Sequence, residues 1–124
     1  MVWLNSLSRL DYDFARSSWV GDYNDPNTFI DCFVSDGGNN RTGWSSKAYD
    51  DLVAAAALEP DTTKRSQIFQ RAEDILLNQG TPICPLYYYV GIQIYDGQKF
   101  GGIEPNLLDE HPFREMYRKP LNKY

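Results

Sequence analysis

A chain of 124 residues is long enough for one compact domain that buries about two-thirds of its unfolded surface. Its formal net charge is −5, with acidic residues spread along the chain and no basic stripe, which argues against binding by phosphate neutralisation and leaves nucleic acid outside the expected partners. No apolar run reaches the ~18 residues of a membrane span, and Met1 to Asn5 has neither the basic start nor the apolar length of a signal peptide.

In chain order, Val2 to Leu4 reads as a short apolar piece, the end of a longer element upstream. Tyr12 to Ser18 alternates as a strand does, with Tyr12, Phe14 and Arg16 on one face and Asp13 and Ala15 on the other. Gly21 permits a backbone conformation closed to most residues. Asp25 and Pro26 then read as N-cap and first residue of a short helix to Phe33, with Phe29, Ile30 and Phe33 on one face. Ser35 to Gly43 is a Gly- and Asn-rich loop whose composition favours positive φ.

A second helix is predicted from Ser46 to Leu58, because Tyr49, Leu52, Val53 and Ala56 recur at helical spacing behind a Ser cap. A third is predicted from Thr62 to Asn78, with Ile68, Phe69, Ala72, Ile75 and Leu76 on one stripe, Asp61 as N-cap and Gly80 as C-cap before Pro82. From Ile83 to Tyr95 aromatic and β-branched residues dominate, which predicts extended chain. Alternation there puts Tyr87 and Tyr89 on one face and Tyr88 on the other, either all in sheet packing or split between the third helix and a cleft. Gly97, Gly101 and Gly102 break the run, Phe113 to Tyr117 suggests a last short strand, and the tail beyond Pro120 is expected to fray. The fold class expected is α/β, with three helices and strands at both ends.

The segment Arg16-Ser17-Ser18-Trp19-Val20-Gly21-Asp22 places a cation, an indole and a carboxylate on a strand-to-helix connection. A carboxylate beside an indole suits an ammonium group, through a charge-assisted hydrogen bond of roughly 1.5–3 kcal/mol and a cation–π contribution of about 0.5–2 kcal/mol. Local physics leaves a second reading open, with Trp19 a core aromatic, Asp22 a turn residue and Arg16 a surface ion-pair partner.

Cys32 and Cys84 are far apart and lack metal spacing, so two small buried hydrophobes are expected rather than a disulfide. The paired carboxylates Asp11 with Asp13, Asp22 with Asp25 and Asp109 with Glu110 suit caps, turns and solvated faces better than acid–base catalysis. His111, the single histidine, lies in a turn-like Asp109-Glu110-His111-Pro112 sequence, and no zinc, phosphate-loop or dinucleotide signature occurs. No enzyme activity, cofactor or metal is expected.

Tyr12 to Phe29, then Gly38-Asn39-Asn40 ahead of Trp44 and Tyr49-Asp50, then Pro85 to Val90, together resemble the C-terminal end of the oligopeptide-binding proteins that serve ABC importers. Members of that family are several times longer, so the resemblance implies the C-terminal part of a two-lobed, type II-like periplasmic-binding-protein fold. Residues 1–90 would then belong to the ligand-facing lobe and 91–124 to a tail returning to the other lobe, with the N-terminal lobe missing. The resemblance also implies that Asp22 pairs with a peptide's amino terminus, that Arg16 meets the carboxyl terminus of a short peptide, and that Trp19, Tyr89 and Asn39 line the cavity. Its implied partners are an oligopeptide and an ABC permease, and its implied location is the periplasm or an envelope anchor. A dipeptide, nickel chelate or oligosaccharide ligand, or a self-associating fragment that binds nothing, are the alternatives.

Overall fold

The computed structural model describes residues 2–106 and 108–120, so the tail expected to fray beyond Pro120 lies outside the described residues. The chain divides into two compact units, Met1–Pro85 and Leu86–Tyr124.

In the first unit, Val2–Ser8 forms a helix of its own, α1, which buries Leu7 and is more than the short apolar end expected. Tyr12 to Ser18, expected as a strand, forms none, because no neighbouring strand among the described residues supplies the ladder that alternation alone cannot. α2 covers Asn27–Ile30 and tightens into a 3₁₀ turn over Asp31–Phe33. Pro26 already has helical angles, and an Asp25 carboxylate oxygen accepts the Asn27 backbone N–H at 2.9 Å, so Asp25 caps this helix as its sequence predicts. Ile30 is buried, whereas Phe29 is exposed and leans over Gly21. A Cβ on Gly21 would lie 3.2 Å from both Phe29 and Thr28; this glycine supplies room, and positive φ falls instead at Asp36 and Gly43 in the following loop.

α3 covers Lys47–Leu58, and its Ser46 cap accepts the Tyr49 N–H. Glu59, extended ahead of Pro60, ends it, and α4 follows over Thr62–Asp74 with the Asp61 carboxylate accepting from Thr63 and Lys64 at 2.9 and 3.0 Å. The short connection folds α4 back on α3, and the two carry most of the core. Beyond Asp74 the chain widens into a π turn over Ile75–Gly80 that ends on Thr81, whose φ of 48° makes it the left-handed cap expected of Gly80. Gly80 serves the indole of Trp44 instead: a Cβ there would stand 2.5 Å from the ring nitrogen.

The core joins Ile30, Tyr49, Ala56, Phe69, Ala72 and Leu76, flanked by Trp44, Leu52, Val53 and Ile83. Tyr49 is fully buried; its hydroxyl donates to the Ile30 carbonyl, and its ring meets Trp44 edge-on at 5.2 Å between centroids. Burial pushes the Tyr49 phenol up from its ordinary value, so it stays a neutral donor.

The second unit is built around a two-stranded antiparallel ladder, β1 (Phe100–Gly101) with β2 (Tyr117–Arg118). Tyr117 packs onto Gly101, and Gly102, with φ of 79°, lets the chain pass the Glu115 carbonyl. The last strand expected from Phe113 is a 3₁₀ turn over Phe113–Glu115, started by Pro112, with only Tyr117 and Arg118 pairing. Leu86 to Tyr95 joins no ladder among the described residues, and Tyr87, Tyr88 and Tyr89 are all largely exposed rather than packed on a helix. The mixed helical structure with a small sheet fits a part of the two-lobed binding-protein fold.

Both cysteines are free thiols; Cys32 is buried as expected, but Cys84 is exposed. Burial first, then the charges of Asp31 and Asp22, push the Cys32 thiol up to about 11. Iodoacetamide near pH 8 therefore labels Cys84 well ahead of Cys32, read by peptide mass spectrometry; equal rates would contradict the burial of Cys32. Tyr49→Phe, which leaves the Ile30 carbonyl without its donor, lowers unfolding free energy by about 1–2 kcal/mol in urea titration.

Candidate functional site

Arg16, Trp19 and Asp22 share one exposed stretch whose two ends are tied down. At the start, the Tyr12 hydroxyl donates to the Arg41 carbonyl, which joins the stretch to the loop carrying Asn39. At the end, the Asp22 backbone N–H donates to the Thr28 hydroxyl at 2.9 Å, and Thr28 is only 2% exposed. Trp19 is 42% exposed, so it is no core aromatic. Asn39 is exposed in the loop, and Tyr89 lies in the second unit, exposed, on chain that pairs with no strand among the described residues.

The three acids of the turn and α2 have different fates. Asp25 receives the Arg65 guanidinium in a two-pronged bond, Nη1 at 2.6 Å and Nη2 at 2.9 Å, while Arg65 Nε donates to the Ala56 carbonyl at 3.0 Å. The guanidinium also lies 4.7 Å from the Phe69 ring centre. Asp31 accepts from the Tyr23 hydroxyl and the Asn27 amide, both at 3.3 Å. The Asp22 carboxylate has no hydrogen-bond or ion-pair partner among the described residues and is exposed. The turn therefore offers one uncommitted carboxylate three positions after an exposed indole.

Asn40, not Asn39, organises the neighbouring loop. Its amide nitrogen donates to the carbonyls of Phe33, Val34 and Trp44 at 2.9–3.2 Å, and its oxygen accepts from the N–H and hydroxyl of Thr42. Sequence reasoning missed this and the Asp25–Arg65 pair; Arg65, near the start of α4 and 40 positions from Asp25, carries no local signal for its partner. A depression of about 240 Å³ in the first unit, bordered by Leu7, Leu10, Asn40 and Arg41, and one of about 430 Å³ in the second, bordered by Glu104, Asn106, His111 and Arg114, include none of the five expected ligand residues. Those of the first unit, Arg16, Trp19, Asp22 and Asn39, are all exposed.

The chain is homologous to the C-terminal parts of oligopeptide- and dipeptide-binding proteins. It is 34% identical over 119 residues to the oligopeptide-binding protein OppA of Bacillus subtilis (strain 168), covering 95% of this chain and 22% of that protein. The dipeptide-binding protein DppE of the same organism is 36% identical over 100 residues, covering 81% of this chain and 18% of DppE. The unliganded open form of the periplasmic murein tripeptide-binding protein MppA superposes with a TM-score of 0.77 at 30% identity, over 94% of this chain and 22% of MppA. No family model matches the chain. The chain thus spans about a fifth of the length of the relatives it matches.

The Arg65 hydrogen bonds first, and the Asn27 N–H second, hold the Asp25 carboxyl below its ordinary value of 3.8, and the same pair raises Arg65. A lowered native value means that the pair's stabilisation is complete above the unfolded carboxylate value and is lost as pH falls through the native one. Unfolding free energies from urea titration at pH 7 and pH 3 therefore differ more for the wild-type chain than for Asp25→Asn, by up to about 1 kcal/mol. Parallel pH profiles for the two chains would contradict the pairing.

Proposed function

We propose that this chain is the C-terminal part of the solute-binding component of an ABC importer, a protein that captures oligopeptides and hands them to a membrane permease. Homology to peptide-binding proteins supports the ligand class. Within the chain, the observation that carries the proposal is the uncommitted, exposed Asp22 carboxylate, three positions after exposed Trp19, with Asp25 already neutralised by Arg65. In this role Asp22 receives the peptide's ammonium group, Trp19 adds its ring face, and Arg16 meets the carboxylate of a short peptide. Asn39 and Tyr89 complete the lining.

Residues 1–90 would form part of the ligand-facing lobe and 91–124 a tail reaching the other lobe, in a protein of the periplasm or cell envelope. Ligand held between two lobes shifts a closure equilibrium, so affinity reflects that equilibrium as well as direct contacts. The names of the relatives span dipeptides, a murein tripeptide and oligopeptides. What peptides of all these lengths can share is a charged terminus, which is the group an exposed carboxylate recognises. A dipeptide ligand is the second reading, and calorimetry across peptides of two to five residues separates the two.

In the intact protein carrying this chain, Asp22→Ala weakens binding of peptides with free amino termini by about 1.5–3 kcal/mol and scarcely changes binding of their N-acetylated forms. Equal losses for both peptides in calorimetry would sink the ammonium role.

A further inference from the structure

The turn that presents Asp22 is knotted through Asp25. The Asp22 N–H is held by the Thr28 hydroxyl, the Thr28 N–H by the Asp25 carbonyl at 3.2 Å, the Asp25 N–H by the Tyr23 carbonyl at 2.9 Å, and the Asn27 N–H by the Asp25 carboxylate. All of these bonds are local, so by themselves they fix the turn's shape but not its seat on the domain. Behind the turn α2 is held through Ile30 and Tyr49, and at the turn itself a second anchor comes from Arg65, which reaches it from α4 and is itself fixed from three sides: the Asp25 carboxylate, the Ala56 carbonyl at the end of α3 and the Phe69 ring in the core. Both partners of the pair are about three-quarters covered, so the fork is shielded from solvent far more than a surface bridge.

We infer that Arg65 is a positioning residue for ligand recognition: by clamping Asp25 it seats the turn on the helical core and keeps the second acid from competing with Asp22 for a ligand's ammonium group. This role rests on the peptide-binding function proposed above. Arg65 touches no ligand in this scheme. It acts through Asp25, three residues from Asp22, and its effect is on discrimination between charged and blocked amino termini rather than on affinity at large. An arginine is required because the clamp uses the fork for the carboxylate and Nε for the Ala56 carbonyl at once, which an ammonium on a flexible stem cannot reproduce.

The test uses the intact protein, a peptide with a free amino terminus and its N-acetylated form, and reads the ratio of their two affinities by calorimetry. Arg65→Gln and Asp25→Asn each lower that ratio about tenfold while the acetylated peptide binds within about twofold of wild type, and Arg65→Lys recovers part of the loss. Asp25→Asn leaves no freed carboxylate behind, so it carries the test if Arg65→Gln does not fold. If Asp22→Ala collapses the ratio but Asp25→Asn and Arg65→Gln leave it intact, or weaken both peptides equally, the positioning role is overturned and the peptide function stands. If Asp22→Ala itself leaves the ratio unchanged, the ammonium reading fails and this role falls with it.

Discussion

The fully buried hydroxyl of Tyr49 is the constraint around which the first unit is arranged. A phenol cannot enter a core without an acceptor, because an unpaired hydroxyl costs about 1–3 kcal/mol, and here the acceptor is the carbonyl of Ile30 at the end of α2. That bond places a four-residue helix, too short to hold itself, against α3. The ring of Tyr49 then takes the edge of Trp44, and Trp44 takes the space over Gly80 where the π turn bends away. One hydrogen bond thus links the element next to the Asp22 turn to the helical pair that carries the core.

Elements with a strong internal signal were legible in the sequence. α3 and α4 form where apolar residues recur at helical spacing, and Ser46 and Asp61 cap them as expected. What failed was anything that depends on a partner elsewhere. Tyr12 to Ser18 alternates as a strand should, yet a ladder needs a neighbour, and none pairs with it among the described residues. Gly21 and Gly80 were marked correctly as special positions but for the wrong reason: each makes room for an aromatic ring, and the positive φ falls on Thr81, Asp36 and Gly43. Cys84 showed the same limit, because an apolar neighbourhood in sequence did not bury it.

For the site, the sequence marked the cluster of Arg16, Trp19 and Asp22 and read Asp25 as a helix cap, but it held no sign of the cation that Asp25 also binds. The difference between Asp22 and Asp25 is tertiary. Arg65 arrives from 40 residues away and converts Asp25 into a fixed structural group, which leaves Asp22 the acid of this turn without a partner among the described residues. Asn40 similarly spends its side-chain amide on five groups of the loop, which leaves its neighbour Asn39 facing outward. In both pairs, chemically similar residues divide into one that builds the fold and one that is exposed.

The three tryptophans inherit this division. Trp3 and Trp19 are exposed, whereas Trp44 is partly covered by Tyr49 and the glycine beneath it. Indoles in water emit at longer wavelength and are open to collisional quenchers, while an indole wedged in a core is neither. Intrinsic fluorescence from this unit therefore contains separable signals: Trp44 follows the integrity of the helical core, and Trp19 follows events on the exposed stretch that carries Asp22. A change in the red, quenchable part of the spectrum with the blue part constant would report an event at the exposed indoles, Trp3 or Trp19, on a helical core that has not moved.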